Sequence, residues 1–303
     1  MSTIELDSSE RRNYKQGGYE YLLNHEEKTA WIVKAPRIRR CRRFRIPNHV
    51  IINGERYEIE SVEIGAYKKA KCLKHLVVPD SILFIDEYNF SSLTNLRSIY
   101  IGKGLNCLTS WIFGGNPKLT SFEISKDNPK FCIEHGIVYT KDGKCAVTNP
   151  FNPKHIVVKE GVEFIASVAF WWNHKLEAIQ FPSTLKRIGD NSIAGCPRLR
   201  SVTLPEGFLE CIVQSFQDNE GLEIVDLPST IKSYGCETFN NCPNLHTLII
   251  RTNHVLEVNR WINEPIDFSS HCTLKVPQEL IEEYRQHPLW GKFKDIVAID
   301  KII

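Results

Sequence analysis

Ten histidines, ten cysteines and one dense basic cluster are the groups in this 303-residue chain with the potential for chemistry. A metal site needs three or four His, Cys, Asp or Glu donors at short fixed spacing. Acyl or phosphoryl transfer needs a nucleophile elbow or a glycine loop that cradles phosphate. The chain has no CxxC pair, no HExxH, no GxSxG and no Walker loop, and the GKG at 102–104 lacks the remaining glycines. Asp127, Glu134 and Asp142 do not have the spacing of an oxygen-rich calcium loop and read as solvated turn residues. The expectation is a protein that is not an enzyme, with no cofactor and no resident metal.

The basic cluster is KAPRIRRCRRFR, residues 34–45, with seven basic residues and no acid. The rest of the chain then carries 31 Lys and Arg against 36 Asp and Glu. Arginine clusters engage phosphate and carboxylate, so Arg39, Arg40, Arg42 and Arg43, flanked by Arg37 and Arg45, are candidates for an anionic partner. No nucleic-acid-binding motif accompanies them, which makes an acidic protein or anionic surface the better expectation and nucleic acid the poorer one. No apolar run reaches the roughly 18 residues of a membrane span, and the first residues lack the apolar segment of a signal peptide. As the sequence stands, the chain is expected in the cytoplasm, its cysteines reduced and mostly buried.

These groups must be positioned by a repeat. RIGDNSIAGCPRLRSVTLP, at 187–205, recurs after a shift of 23 residues, and then again. With the residue after each short apolar strand as anchor, the series is Pro79, Gly102, Ser125, Lys159, Pro182, Pro205, Pro228 and Arg251, every step being 23 residues except one of 34. One and three positions before the anchor, all sixteen residues are apolar, from Leu76 and Val78 to Leu248 and Ile250. Alternate residues of a strand face opposite ways, so these two columns face a core and the residues around them face water. A leucine stands six before the anchor wherever the step is regular. Twelve before it stands a ring or an isoleucine, Tyr67, Phe90, Phe113, Phe170, Ile193, Phe216 or Phe239, expected to stack along the coil. Nine before it, asparagine or cysteine recurs, as at Asn116, Asn173, Cys196, Asn219 and Cys242, suited to a corner where a side chain satisfies buried backbone.

A 23-residue unit cannot bury both its faces, so units must stack into a solenoid with a parallel sheet along one side. Segments such as LKRIGDNSIAGCPRLRSVTLP resemble the leucine-rich repeats of BspA-like bacterial proteins, over about residues 44–300. The resemblance implies a leucine-rich-repeat solenoid, a right-handed β-rich coil with its parallel sheet on the concave face. It implies residues 1–56 as an N-terminal β cap, 57–251 as the solenoid and 252–303 as a C-terminal cap with a short helix after Pro277. The long step carries an inserted β-hairpin, about 127–152, turning at Asp142–Gly143 and expected to stand out from the coil. By the same resemblance, the function is a protein–protein interaction scaffold of the cell surface or secreted kind, including adhesion to host proteins, working as a monomer. Outward strand positions then supply candidate partner-binding residues: His75, Tyr100, Glu123, Gln180 and Asp226. Trp111, Trp171 and Trp172 lie on loops outside the core columns and are added as candidate anchors.

Overall fold

A short strand with one apolar face is stable only against a neighbour, and the 23-residue step supplies that neighbour at constant register. The computed structural model describes residues 13–36, 38, 41–235, 237–259 and 270–299. The chain divides into two units, Met1–Gly136 and Ile137–Ile303.

In the first unit, Arg43–Arg45, His75–Val78, Ser98–Ile101 and Ser121–Ile124 form a parallel sheet of repeat strands. Leu76 pairs with Ile99 and Ile99 with Phe122, so equivalent residues of successive coils stand side by side. A second sheet is mainly antiparallel: Asn13–Gln16, Tyr19–Asn24, Thr29–Lys34, Glu55–Val62 and His49–Ile52, in that order. His49–Ile52 and Glu55–Val62 turn at Asn53 and Gly54, both at positive φ, as a two-residue hairpin requires. Phe84–Ile85 continues this sheet by pairing in parallel with Glu55–Val62.

In the second unit, the repeat strands His155–Val157 and Ala178–Gln180 pair in parallel. Ser201–Thr203, Ile224–Leu227, Thr247–Ile250, Thr273–Val276 and Asp295–Ala298 make a five-stranded sheet of the same kind. A return sheet pairs Cys145–Thr148, Phe164–Ile165, Arg187–Ile188, Glu210–Cys211, Ser233–Gly235 and Glu257–Asn259, all parallel. In the two units together, the repeat-strand rows extend beyond the 57–251 span at both ends, through Arg43–Arg45, Thr273–Val276 and Asp295–Ala298. Pairing needs a strand edge in register, not a full 23-residue coil.

The inserted hairpin does not stand out from its unit. Ile137–Thr140 runs antiparallel to Cys145–Thr148, and the latter is itself a rung beside Phe164–Ile165. Ile137, Val138 and Tyr139 are buried on both faces of the strand, because three successive apolar residues cannot all meet water. Asp142 shapes the turn, its carboxylate accepting the Thr140 hydroxyl at 2.6 Å and the Lys144 N–H at 2.9 Å.

The core follows the columns. The leucine column is buried throughout, and all but Ile124 and Ile179 of the sixteen strand residues are buried. The rings stack at centroid distances of 5.2 Å for Tyr67–Phe90, 6.0 Å for Phe90–Phe113 and 5.6 Å for Phe216–Phe239. At the corners, Asn219 donates to the carbonyls of Ile193 and Phe216, both at 2.9 Å, and accepts the Cys196 N–H at 2.7 Å. Asn116 does the same one unit earlier, for Phe90, Phe113 and Leu93. Cys196 and Cys242 take this place with thiols that reach the carbonyls of Phe170 and Phe216 at 3.5 and 3.4 Å. A second buried polar column, not recognised in the sequence, holds Asn89, Ser192, Ser215 and Thr238. Ser192 donates to the Ala166 and Gly189 carbonyls, and Thr238 to Gly235, so these hydroxyls close the turn into the ring position.

Outside the core, charges pair from coil to coil. Lys186 meets Glu163 at 2.7 Å, Arg187 meets Glu210 at 2.9 Å, and Lys154 meets Glu177 at 3.0 Å. Glu163 is held by Lys144 as well, and these two ammonium groups lower its pKa to about 2.

Two consequences are measurable. Phe216→Ala is expected to cost about 3–5 kcal/mol through lost burial and the cavity left behind. Asn219→Ala is expected to cost about 1–3 kcal/mol for each buried backbone group left unpaired, with Asn219→Cys milder; urea denaturation reads both. Glu163 stays ionised in the folded state well below the roughly 4.3 of an unfolded glutamate. Its contribution is therefore present above that pH and lost as pH falls towards 2. Glu163→Gln should accordingly flatten the decline of Tm over that interval.

Candidate functional site

Between the buried columns, the repeat strands present two outward columns. In the first unit, these run Arg43, His75, Ser98, Ser121 and Arg45, Val77, Tyr100, Glu123, in register across parallel rungs. Rungs lie about 4.8 Å apart, close enough for each side chain to touch the next. His75 Nδ1 lies 2.8 Å from the Ser98 hydroxyl, and Ser121 donates to Glu123 at 3.0 Å. Tyr100 is 40% exposed and stands between Val77 and Glu123. His75, Tyr100 and Glu123 are thus brought onto one face, as the alternation predicts.

In the second unit, Gln180 is exposed and pairs with Val157, itself 60% exposed. Asp226 lies on the five-stranded sheet between Thr203 and Ile249. Its carboxylate is gripped by Arg251, whose Nε and Nη2 donate at 2.7 and 2.9 Å. This fork of hydrogen bonds raises the Arg251 pKa and ties Asp226 to the turn that follows its neighbouring strand. Sequence reading missed Lys275 and Val297, which continue the same column on the last two rungs.

The basic cluster is divided by this geometry. Arg43 and Arg45 are exposed members of the outward columns, beside His75 and Val77, and Arg42 is exposed just before them. None of the three makes an ion pair among the described residues. Arg37, Arg39 and Arg40 lie outside the described residues. The signal for this rung was present: Phe44, Ile46 and Pro47 repeat the spacing of Leu76, Val78 and Pro79, but the step between them is irregular.

The three candidate tryptophans lie off the repeat strands. Trp111 belongs to the short helix Ser110–Phe113 and meets Tyr88 edge-on at 5.5 Å. Trp171 and Trp172 are neighbours at 5.3 Å, and Trp172 is 50% exposed. Trp172 adopts φ 56°, a left-handed backbone that other coils give to Gly115, Gly195, Asp218 and Asn241. A non-glycine residue there costs about 1 kcal/mol. The turn aims the Trp172 N–H at the Ala194 carbonyl of the next coil, 2.9 Å away. Tyr88 and Val168 hold the same backbone for the same reason, donating to Trp111 and Asp190.

Reactive groups are not gathered. Among the described residues, no three His, Cys, Asp or Glu converge as a metal set. The cysteines are less buried than expected: of the nine described, Cys196, Cys211, Cys242 and Cys272 are buried, whereas Cys72 and Cys107 are exposed. The expectation failed because only the cysteines of the core columns are obliged to be inside. Burial raises the thiols of Cys196, Cys242 and Cys272 to about 12, which keeps them protonated and unreactive.

Parallel rungs at a 23-residue step, with a leucine at each corner and rings along the core, define a leucine-rich-repeat solenoid. This chain belongs to the BspA type leucine rich repeat family, six copies of which match residues 58–133 and 144–262. The interval between the two matched stretches holds the turn around Asp142. The fold is similar to that of a leucine-rich repeat protein from Bacteroides ovatus, at 16% identity and TM-score 0.55 over 94% of this chain and 76% of that one. It is also similar to one from Eubacterium ventriosum, at 13% identity and TM-score 0.53 over 88% and 84%. No curated protein matches the chain. Repeat solenoids are extended binding surfaces, and the family places this chain among interaction scaffolds. No helix among the described residues is long and apolar enough to cross a membrane.

The Asp226–Arg251 pair makes a structural claim that can be checked. A double-mutant cycle on Asp226→Ala and Arg251→Ala is expected to give a coupling of about 1 kcal/mol in unfolding free energy.

Proposed function

We propose that this protein is a scaffold without catalytic activity that docks a protein partner on the outward columns of its repeat strands. The observation that carries this reading is the exposure of Tyr100, Val157, Ile224 and Val297 on those columns. They are four of the nine large apolar side chains exposed among the described residues, set among short or uncharged neighbours such as Ser98, Ala178 and Ser201. Such a face can be covered by another protein without stripping strongly held water from many charges. Glu123 beside Tyr100 in the first unit and Gln180 beside Val157 in the second add hydrogen-bonding groups, and Trp111, Trp171 and Trp172 add aromatic anchors on the turns. The finer form of the reading is a monomer at the cell surface adhering to a host protein, which the family resemblance supports.

A second reading rests on Arg43 and Arg45, exposed on the same columns with no ion pair among the described residues. Together with Arg42, and with Arg39 and Arg40 earlier in the cluster, they suit an acidic partner, and nucleic acid less well. Salt separates the two. A partner of the apolar columns should resist raised salt during washing and be lost on Tyr100→Ala, for the first unit, or on Ile224→Arg, for the second. A partner of the arginines should be released by salt and lost on Arg42→Ala with Arg43→Ala. Binding that ignores all four substitutions overturns both readings.

A further inference from the structure

A cleft of about 360 Å³ opens in the first unit, between the end of the Thr29–Lys34 strand and the first corner of the coil. Its size falls in the range of small-molecule sites, about 300–1,000 Å³. Val33, Pro36 and Ile38 line it from one segment and Ile64 from the other. Ile64 is 62% exposed, the most exposed of the large apolar side chains described, and nothing in the repeat pattern asks for an isoleucine in that turn.

The charged side chains described along the cleft are of one sign. Lys34, Lys68 and Lys69 line it, all exposed, and none has an ion pair among the described residues. The Lys68 stem lies over Gly65, where a Cβ would come within 3.2 Å of it. Among the described residues, no acidic side chain lines the cleft. Tyr67 lines it as well, with its ring stacked on Phe90 in the core. Its hydroxyl is buried and makes no hydrogen bond of normal geometry, although the Tyr19 phenol is near enough to influence it.

We propose that this cleft is a binding site for a small amphipathic anion, a carboxylate on a short apolar chain. The apolar chain lies along Ile38 and Ile64, and the carboxylate is met by Lys68 and Lys69. The site is independent of the repeat-strand face, and either can fail without the other.

The test titrates the full-length protein with octanoate by calorimetry, alongside displacement of the fluorescent anion 8-anilinonaphthalene-1-sulfonate. Saturable one-to-one binding of octanoate is expected. It should weaken at least about tenfold on Lys68→Glu with Lys69→Glu, from reversal of two nearby charges, and also on Ile64→Glu. These three side chains are exposed, so unchanged unfolding curves are expected for both variants. Absence of saturable octanoate binding overturns the proposal, as does binding that the lysine and isoleucine variants leave intact. Inorganic phosphate competing as well as octanoate, or binding only to phosphatidylglycerol vesicles, overturns it too, because the apolar half of the ligand would then have no role.

Discussion

Each coil of this protein has to satisfy its backbone on the coil beside it. A repeat strand of three or four residues has too little internal structure to persist, and its N–H and C=O groups find partners only across the stack. That requirement fixes the register of the repeat strands, since a one-residue slip would turn the buried columns to the outward face. It also fixes the chemistry of the corners, where the chain leaves the sheet and its carbonyls would otherwise be buried alone. Asn116 and Asn219 answer with an amide that serves three backbone groups, and Cys196 and Cys242 with a thiol that serves fewer. The left-handed turns at Tyr88, Val168 and Trp172 belong to the same constraint, accepting local strain so that an N–H reaches the next coil.

With the inside so constrained, variation is left to the outward columns and the turns. Where two outward residues of adjacent coils are Lys and Glu, they pair with each other, as Lys186 does with Glu163, and contribute little to recognition. Where they are apolar or unpaired, they remain available. Tyr100, Val157, Arg43 and Arg45 fall into that second group, and Asp226 falls into the first. The distinction between a structural and an available charge is thus set by the neighbouring coil.

Much of this was legible from spacing. Periodicity separated the buried columns from the outward ones, placed the rings on one line and gave Asn116 and Cys196 the same structural role. The column of Asn89, Ser192, Ser215 and Thr238 escaped notice because alanine or isoleucine fills it in other coils, which hides the shared need. The first rung, Arg43–Arg45, escaped because an irregular step precedes Pro79. The hairpin was expected to stand out, since two strands around Asp142 look alike in sequence whether or not a sheet receives them, but Cys145–Thr148 pairs with Phe164–Ile165.

By itself, the sequence determined the repeat, its register and the family, because a residue's position modulo 23 decides which way its side chain points. Only the tertiary structure decided which outward groups are free. Arg251 closes on Asp226, Lys144 joins Lys186 on Glu163, and Lys34 comes to share a cleft with Lys68 and Lys69. Each of these meetings depends on how turns of unlike length fold back on the stack. Periodicity carries no information about that, because the turns are where the repeat is least regular and the physics is that of contact, not of spacing.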